Sequence, residues 1–186
     1  MHTSGLPGDA RRVLIYGVTG SGKTTLAASL ANTTEIEWHS VDDLTWEPEW
    51  IEVPDDEQRR RIQHICEQPE WILDTAYGKW LDVPLGQAQL IVALDYPRWF
   101  SLQRLVRRTV TRLFDRRLIC NGNRESLGGL FSRDTIILWH FRSFNRKRQR
   151  IRQWSNDPAA PPVLRFTSSR QTKEWLSGLR ERALDR

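Results

Sequence analysis

The sequence predicts an α/β fold in which a parallel sheet of five short strands is covered by helices on both faces. Two observations predict it. Short apolar runs recur along the chain, and each is followed by a stretch of good helix formers or of helical spacing. The chain is 186 residues long, 39% hydrophobic and 27% charged, which suits one domain with a substantial core.

The elements follow in order. MHTSGLPGDA lacks a basic stretch leading into an apolar one, so no signal peptide is expected. Residues 1–10 read as a flexible tail ahead of a single domain over 11–186. VLIYG (Val13–Gly17) is the first strand and KTTLAASLA the helix after it. IEWHSVD (Ile36–Asp42) alternates less cleanly as the second strand, and the aromatic, acidic connection DDLTWEPEW (Asp42–Trp50) leads to the helix DDEQRRRIQHICE. WILD (Trp71–Asp74) and LIVALDY (Leu90–Tyr96) are the third and fourth strands. In RWFSLQRLVRRTVTRLF, Leu102, Leu105, Val106, Val110 and Leu113 share one helical face, with Arg104, Arg107, Arg108 and Arg112 around the remainder. The stretch DRRLICNGNRESLGGLFSRD is too long for an ordinary connector and reads as a lid around 115–134 carrying Arg116, Arg117 and Arg124. In DTIILWHFRSFNRKRQRI, Phe141 and Phe144 fit a buried stripe; NDPAAPP then turns the chain into the fifth strand VLRFTS and the last helix TKEWLSGLRERAL.

The junction after the first strand carries the chemistry. GVTGSGKT (Gly17–Thr24) matches G-x-x-x-x-G-K-[ST], with a strand before it and a helix after it. Gly17, Gly20 and Gly22 let the backbone turn tightly and bring its N–H groups against phosphate oxygens. The helix start directs its positive dipole end at the same oxygens. Lys23 adds a charge that reaches the outer phosphates, and Thr24 offers a hydroxyl to Mg²⁺. The residues expected to hold ATP are therefore Gly17, Gly20, Ser21, Gly22, Lys23, Thr24 and Thr25.

In open α/β sheets ligands collect outside the carboxyl ends of the strands. Asp42 and Asp43 end the second strand, Asp74 the third, and Asp95 with Arg98 the fourth. Asp42 either accepts a proton from an acceptor hydroxyl or holds a water on Mg²⁺. Asp74, beside the first strand, is the outer-shell metal partner, with Thr24 as the direct one. Asp43 and Asp95 are equally explained by helix capping or turn chemistry. Trp46 and Trp50 either line an acceptor pocket or cover the edge of the core.

Charge is uneven. Between Arg98 and Arg152 stand 15 basic and 3 acidic residues, a net charge of +12, in a chain whose total is +5. Polyphosphate and nucleic acid are the two partners such a segment suits. Only four of the 28 basic residues are lysine, which also fits solvated helix faces in an arginine-rich composition. Lid arginines would stabilise charge on a transferring phosphoryl group. Cys66 and Cys120 form no pairing pattern, so a reduced, cytoplasmic protein is expected. No apolar run approaches the roughly 18 residues of a membrane helix.

GVTGSGKTTLA, VDDLTWEPEW, WILDTAYG, LDYPRWFSLQRLVRRTVTR and NGNRES together resemble the small adenylate-kinase-like or topology modulation proteins, within the nucleoside monophosphate kinase and shikimate kinase branch of P-loop folds. The likeness runs from about Arg12 to Trp175. It implies a five-stranded parallel sheet in order 2-3-1-4-5 with a small lid, and ATP- and Mg²⁺-dependent phosphoryl transfer to a small molecule. It implies triphosphate binding at Gly17–Thr24, an acceptor region around Asp42, and lid-side or lid-base cations at Arg104, Arg108 and Arg112. The expected catalytic set is thus Lys23, Asp42, Arg108 and Arg112. Where relatives often read Asp-Gly-Asn-Tyr after the third strand, this chain has Asp74-Thr75-Ala76-Tyr77. The four-cysteine pattern of a zinc lid is absent, so no structural metal is expected. A nucleotide-dependent regulator that binds nucleic acid through residues 98–152 is the less favoured alternative.

Overall fold

The computed structural model describes residues 5–75, 79–115 and 136–184. Seven strands and seven helices are seen among them: β1 (Arg12–Gly17), α1 (Lys23–Thr34), β2 (Trp38–Ser40), α2 (Val41–Thr45), β3 (Trp46–Glu47), β4 (Ile51–Glu52), α3 (Asp55–Cys66), β5 (Trp71–Thr75), α4 (Asp82–Gln87), β6 (Leu90–Leu94), α5 (Arg98–Asp115), α6 (Ile136–Asn156), β7 (Val163–Phe166) and α7 (Ser169–Leu184). Short 3₁₀ turns stand at Pro7–Asp9 and Pro48–Trp50.

The main sheet runs β2-β5-β1-β6-β7, and all its neighbours are parallel. Counting only its own strands, that is the expected order 2-3-1-4-5. The hairpin β3–β4 is a separate two-stranded sheet inside the connection after α2.

Burial on both faces explains why β1, β5 and β6 are apolar without alternation. On one face Val13, Ile15, Val92 and Leu94 meet Leu26, Ala27 and Leu30 of α1 and Leu179 of α7. On the other, Leu14, Tyr16, Leu73 and Ile91 meet Ile62 and Ile65 of α3 and Ile151 of α6. Three layers result.

The structure corrects four expectations. The tail assigned to residues 1–10 is part of the core where it is described: Leu6 and Ala10 are buried in the first cluster. The second strand is short, and Val41–Thr45 is helical, so Asp42 lies in a first helical turn. The expected apolar face of α5 is only partly covered, because Leu105 is buried while Val106 and Val110 are exposed. Phe144 is buried, whereas Phe141 is exposed under the guanidinium of Arg98. Most of the segment read as a lid, with Arg116, Arg117, Arg124 and Cys120, lies outside the described residues.

Candidate functional site

β1 delivers the chain to the carboxyl edge of the sheet at Gly17, and the loop turns there into α1. Gly20 and Gly22 have φ of +82° and +95°, in the left-handed region open to glycine. Close approach closes the loop from outside. A Cβ on Gly17 would lie 2.9 Å from Ser21 Oγ and 3.0 Å from the Leu94 carbonyl oxygen. One on Gly20 would run into the Ser101 carbonyl oxygen of α5, and one on Gly22 would meet the Arg104 guanidinium at 3.0 Å. Gly22 is also the N-cap of α1 and makes no side-chain cap. The first N–H groups of α1 are therefore left for a ligand.

Lys23 is buried and its Nζ donates to the Val18 carbonyl oxygen at 3.2 Å. Burial pushes its pKa down, Asp74 and Asp42 pull it back up, and Arg108 pushes it down again. Asp74, Asp42 and Arg108 are therefore the charged groups within electrostatic reach of the lysine. The register pairs Ile15 with Asp74 across β1–β5, and Ser40 with Asp74 across β2–β5. That geometry brings Asp74 beside the loop and places Asp42, two residues beyond Ser40, next to it. Asp74 is almost wholly buried, and burial raises its pKa against the opposing pull of Lys23 and a hydrogen bond from Thr24. Asp74 Oδ2 and Ser21 Oγ are buried and meet no hydrogen-bond partner among the described residues. Asp43 is exposed, and partial burial with Asp42 alongside raises its pKa.

The expected site residues thus divide. Gly17, Gly20, Ser21, Gly22, Lys23, Thr24, Asp42, Asp74 and Arg108 come together. Thr25 follows on α1 as an exposed residue. Arg112 lies on α5, and its side chain lies outside the described residues. Arg104 sits against Gly22 and 5.6 Å from the Phe100 ring, at the base of the site. Asp95 is structural. Its buried carboxylate accepts from Arg148 Nε at 2.6 Å and from Arg165 Nη2 at 2.6 Å, tying β6 to α6 and β7. Arg98 donates to Asn145 Oδ1 and lies over Phe144, so it braces α5 on α6. Trp46 and Trp50 pack edge to face at 5.8 Å within the hairpin. A cavity of about 20 Å³ between α2, α3 and the end of β5, lined by Thr45, Gln58, Thr75 and Trp80 among others and by neither Trp46 nor Trp50, has room for about one water. No group of three or more His, Cys, Asp and Glu forms a metal cluster among the described residues. No helix among them is long and apolar enough to cross a membrane.

Sequence reasoning missed the inner face of α6. His140 is fully buried, with Nδ1 3.1 Å from the Thr19 carbonyl oxygen and Nε2 3.4 Å from Ser101 Oγ. A carbonyl only accepts, so Nδ1 carries the proton. Burial lowers the pKa of this imidazole. Lys147 is also buried, within electrostatic reach of Lys23 and Asp42. The signal was present as His140, Ser143 and Lys147 at helical spacing, masked by the arginines between them. Outside that face, Trp99, Trp139 and Phe141 are exposed, with Arg146 6.0 Å from the Trp139 ring and Arg98 5.6 Å from that of Phe141.

No protein-family model and no curated protein matches the chain. Solved structures do. A shikimate kinase from Bacteroides thetaiotaomicron is similar with a TM-score of 0.58 and 13% identity, over 92% of this chain and 97% of that one. TT1252 from Thermus thermophilus is similar with a TM-score of 0.53 and 17% identity, over 91% and 96%. A shikimate kinase from Acinetobacter baumannii, in complex with shikimate, is similar with a TM-score of 0.52 and 16% identity, over 93% and 92%. At these identities the likeness establishes a common fold.

Proposed function

We propose that the chain is an ATP-dependent phosphotransferase acting on a small molecule. The observation that carries this reading is the buried Lys23, held in a glycine loop with Asp74 and Asp42 beside it. The fold it has in common with two shikimate kinases supports the reading at the level of class.

The residues fit a nucleotide with its metal ion. Glycines at 17, 20 and 22 let the loop pack closely on Leu94, Ser101 and Arg104, α1 has an uncapped start, and Ser21 Oγ and Asp74 Oδ2 are buried without partners among the described residues. Thr24 and Asp74 would hold Mg²⁺, whose charge supplies electrostatic stabilisation of the phosphates. Lys23 and Arg108 offset the charge that grows on the moving phosphoryl group. Asp42 accepts the proton of the acceptor hydroxyl as its oxygen bonds to the γ-phosphorus and the bond to the β–γ bridging oxygen breaks, releasing ADP.

The test incubates the protein with ATP·Mg²⁺ and nucleoside monophosphates, nucleosides, shikimate, gluconate and small alcohols, following ADP. Acceptor-stimulated turnover is expected, falling by roughly a hundredfold or more in Lys23→Ala. ATP binding without stimulation by any acceptor would overturn the reading. Salt-sensitive binding of a single-stranded oligonucleotide to the exposed aromatic and basic strip of α5 and α6 would then be measured, because those groups suit base stacking and phosphate contact.

A further inference from the structure

The inner stripe of α6 is more polar than packing requires. Among its described residues the buried ones are His140, Ser143, Phe144, Lys147 and Ile151. His140 is satisfied by the phosphate loop and Ser101. Ser143 Oγ and Lys147 Nζ are not: each is buried and meets no hydrogen-bond partner among the described residues, although their residues are only 1% and 3% exposed. The two stand one turn apart on one face of α6, close enough for one group held between them to accept from both. A buried ammonium without a partner is among the most costly groups a fold can hold, so the side chain sheds its proton unless a ligand supplies the opposite charge.

We propose that Ser143 and Lys147 form an oxyanion subsite beside Lys23, which binds a phosphate or carboxylate oxygen brought in with the nucleotide or with the acceptor. The location rests on the phosphotransferase reading, while the subsite can be tested without turnover. The charged groups acting on Lys147 are Lys23 from α1, Asp42 from α2, and Arg146 and Arg150 from its own helix. Burial and the three cations bring its pKa down to about 7, against Asp42 alone. An arriving oxyanion reverses that balance. The neutral amine takes a proton from solvent and donates it to the ligand, so binding above neutral pH is accompanied by proton uptake.

Isothermal titration of the full chain at pH 8 in two buffers of different ionisation enthalpy reads this directly. The titrants are Mg²⁺ complexes of ADP and of a non-hydrolysable ATP analogue, then shikimate and gluconate added to the ADP complex. An uptake approaching about one proton per ligand is expected in one arm. Uptake with the ATP analogue beyond that with ADP identifies the terminal phosphate as the source. Uptake only on adding a carboxylate identifies the acceptor. Lys147→Met should abolish the uptake, and Lys147→Arg should abolish it while keeping tight binding, because guanidinium does not titrate here. Ser143→Ala should weaken binding about tenfold and keep the uptake. Absence of uptake in every arm, or uptake unchanged in both Lys147 variants, would overturn the subsite. Uptake that depends on Lys147 with no turnover on any acceptor would retain the subsite and sink the phosphotransferase reading.

Discussion

Single positions in the loop carry constraints that the motif pattern does not spell out. The sequence motif permits any residue at position 20, yet the structure does not. Gly20 holds φ at +82° directly under the Ser101 carbonyl, so a methyl group meets both backbone strain and backbone atoms. Left-handed geometry alone costs an L-residue roughly 1–2 kcal/mol. Gly20→Ala is therefore expected to destabilise the protein by about 2–4 kcal/mol and to lose nucleotide affinity, as read by thermal melting with and without ATP·Mg²⁺. A melting curve unchanged by the substitution would contradict the packing of α5 against the loop. Legibility at this scale was uneven. Lys23, Thr24 and the glycines were readable because they stand at the fixed spacing of the G-x-x-x-x-G-K-[ST] pattern between a strand and a helix. Lys147 was not, since a lone lysine among arginines gives no local sign that its ammonium is buried.

At the scale of elements, Asp95 shows how the role of a strand end is decided by its neighbours. Asp42, Asp74 and Asp95 look alike in sequence, each just at or beyond a strand terminus. The register gives Asp74 to the loop and Asp42 to its flank. Asp95 instead faces Arg148 of α6 and Arg165 of β7, which take both of its oxygens. Because its partners come from residues 53 and 70 positions away, no local pattern could have sorted it from the others. Asp95→Asn would leave two guanidiniums facing a neutral amide. Loss of one partner of a fully buried pair costs about 3–5 kcal/mol. Both arginines are about one-third exposed, so a loss of roughly 2–3 kcal/mol is expected from denaturant unfolding. A change below about 0.5 kcal/mol would mean that the clamp contributes no more than a surface pair. Helix and strand types were legible from period and composition. The hairpin β3–β4 and the short helices α2 and α4 were not, because segments of two to six residues carry too little pattern.

For the molecule as a whole, the charge layout bears on stability. The +12 segment is only partly a solvated surface. Arg98, Arg148 and Lys147 are built into the contacts of α5 and α6 with the sheet and the loop. Lys147 has a pKa of about 7 when folded, against a reference of 10.5. A depressed pKa means that the folded protein binds fewer protons than the unfolded chain between those limits. Stability is then gained as pH rises from about 7 toward 10.5 and is lost over the same interval as pH falls, the loss being complete just below 7. From pH 7 to 8.5, below the range where Cys66, pushed up to about 12, works in the opposite direction, the unfolding free energy should rise by on the order of 1–2 kcal/mol. Lys147→Met should flatten that slope, and a variant with the wild-type slope would show that the lysine is not desolvated in solution. The same layout bears on the loop itself. A trans peptide directs its C=O and N–H to opposite sides. By taking the Thr19 carbonyl, His140 turns the Gly20 N–H away from α6. The polarity of that amide is thus decided 121 residues downstream of it. Two chains with the same eight-residue loop can therefore differ in which way that amide faces, and so in how many N–H groups the loop turns toward an anion.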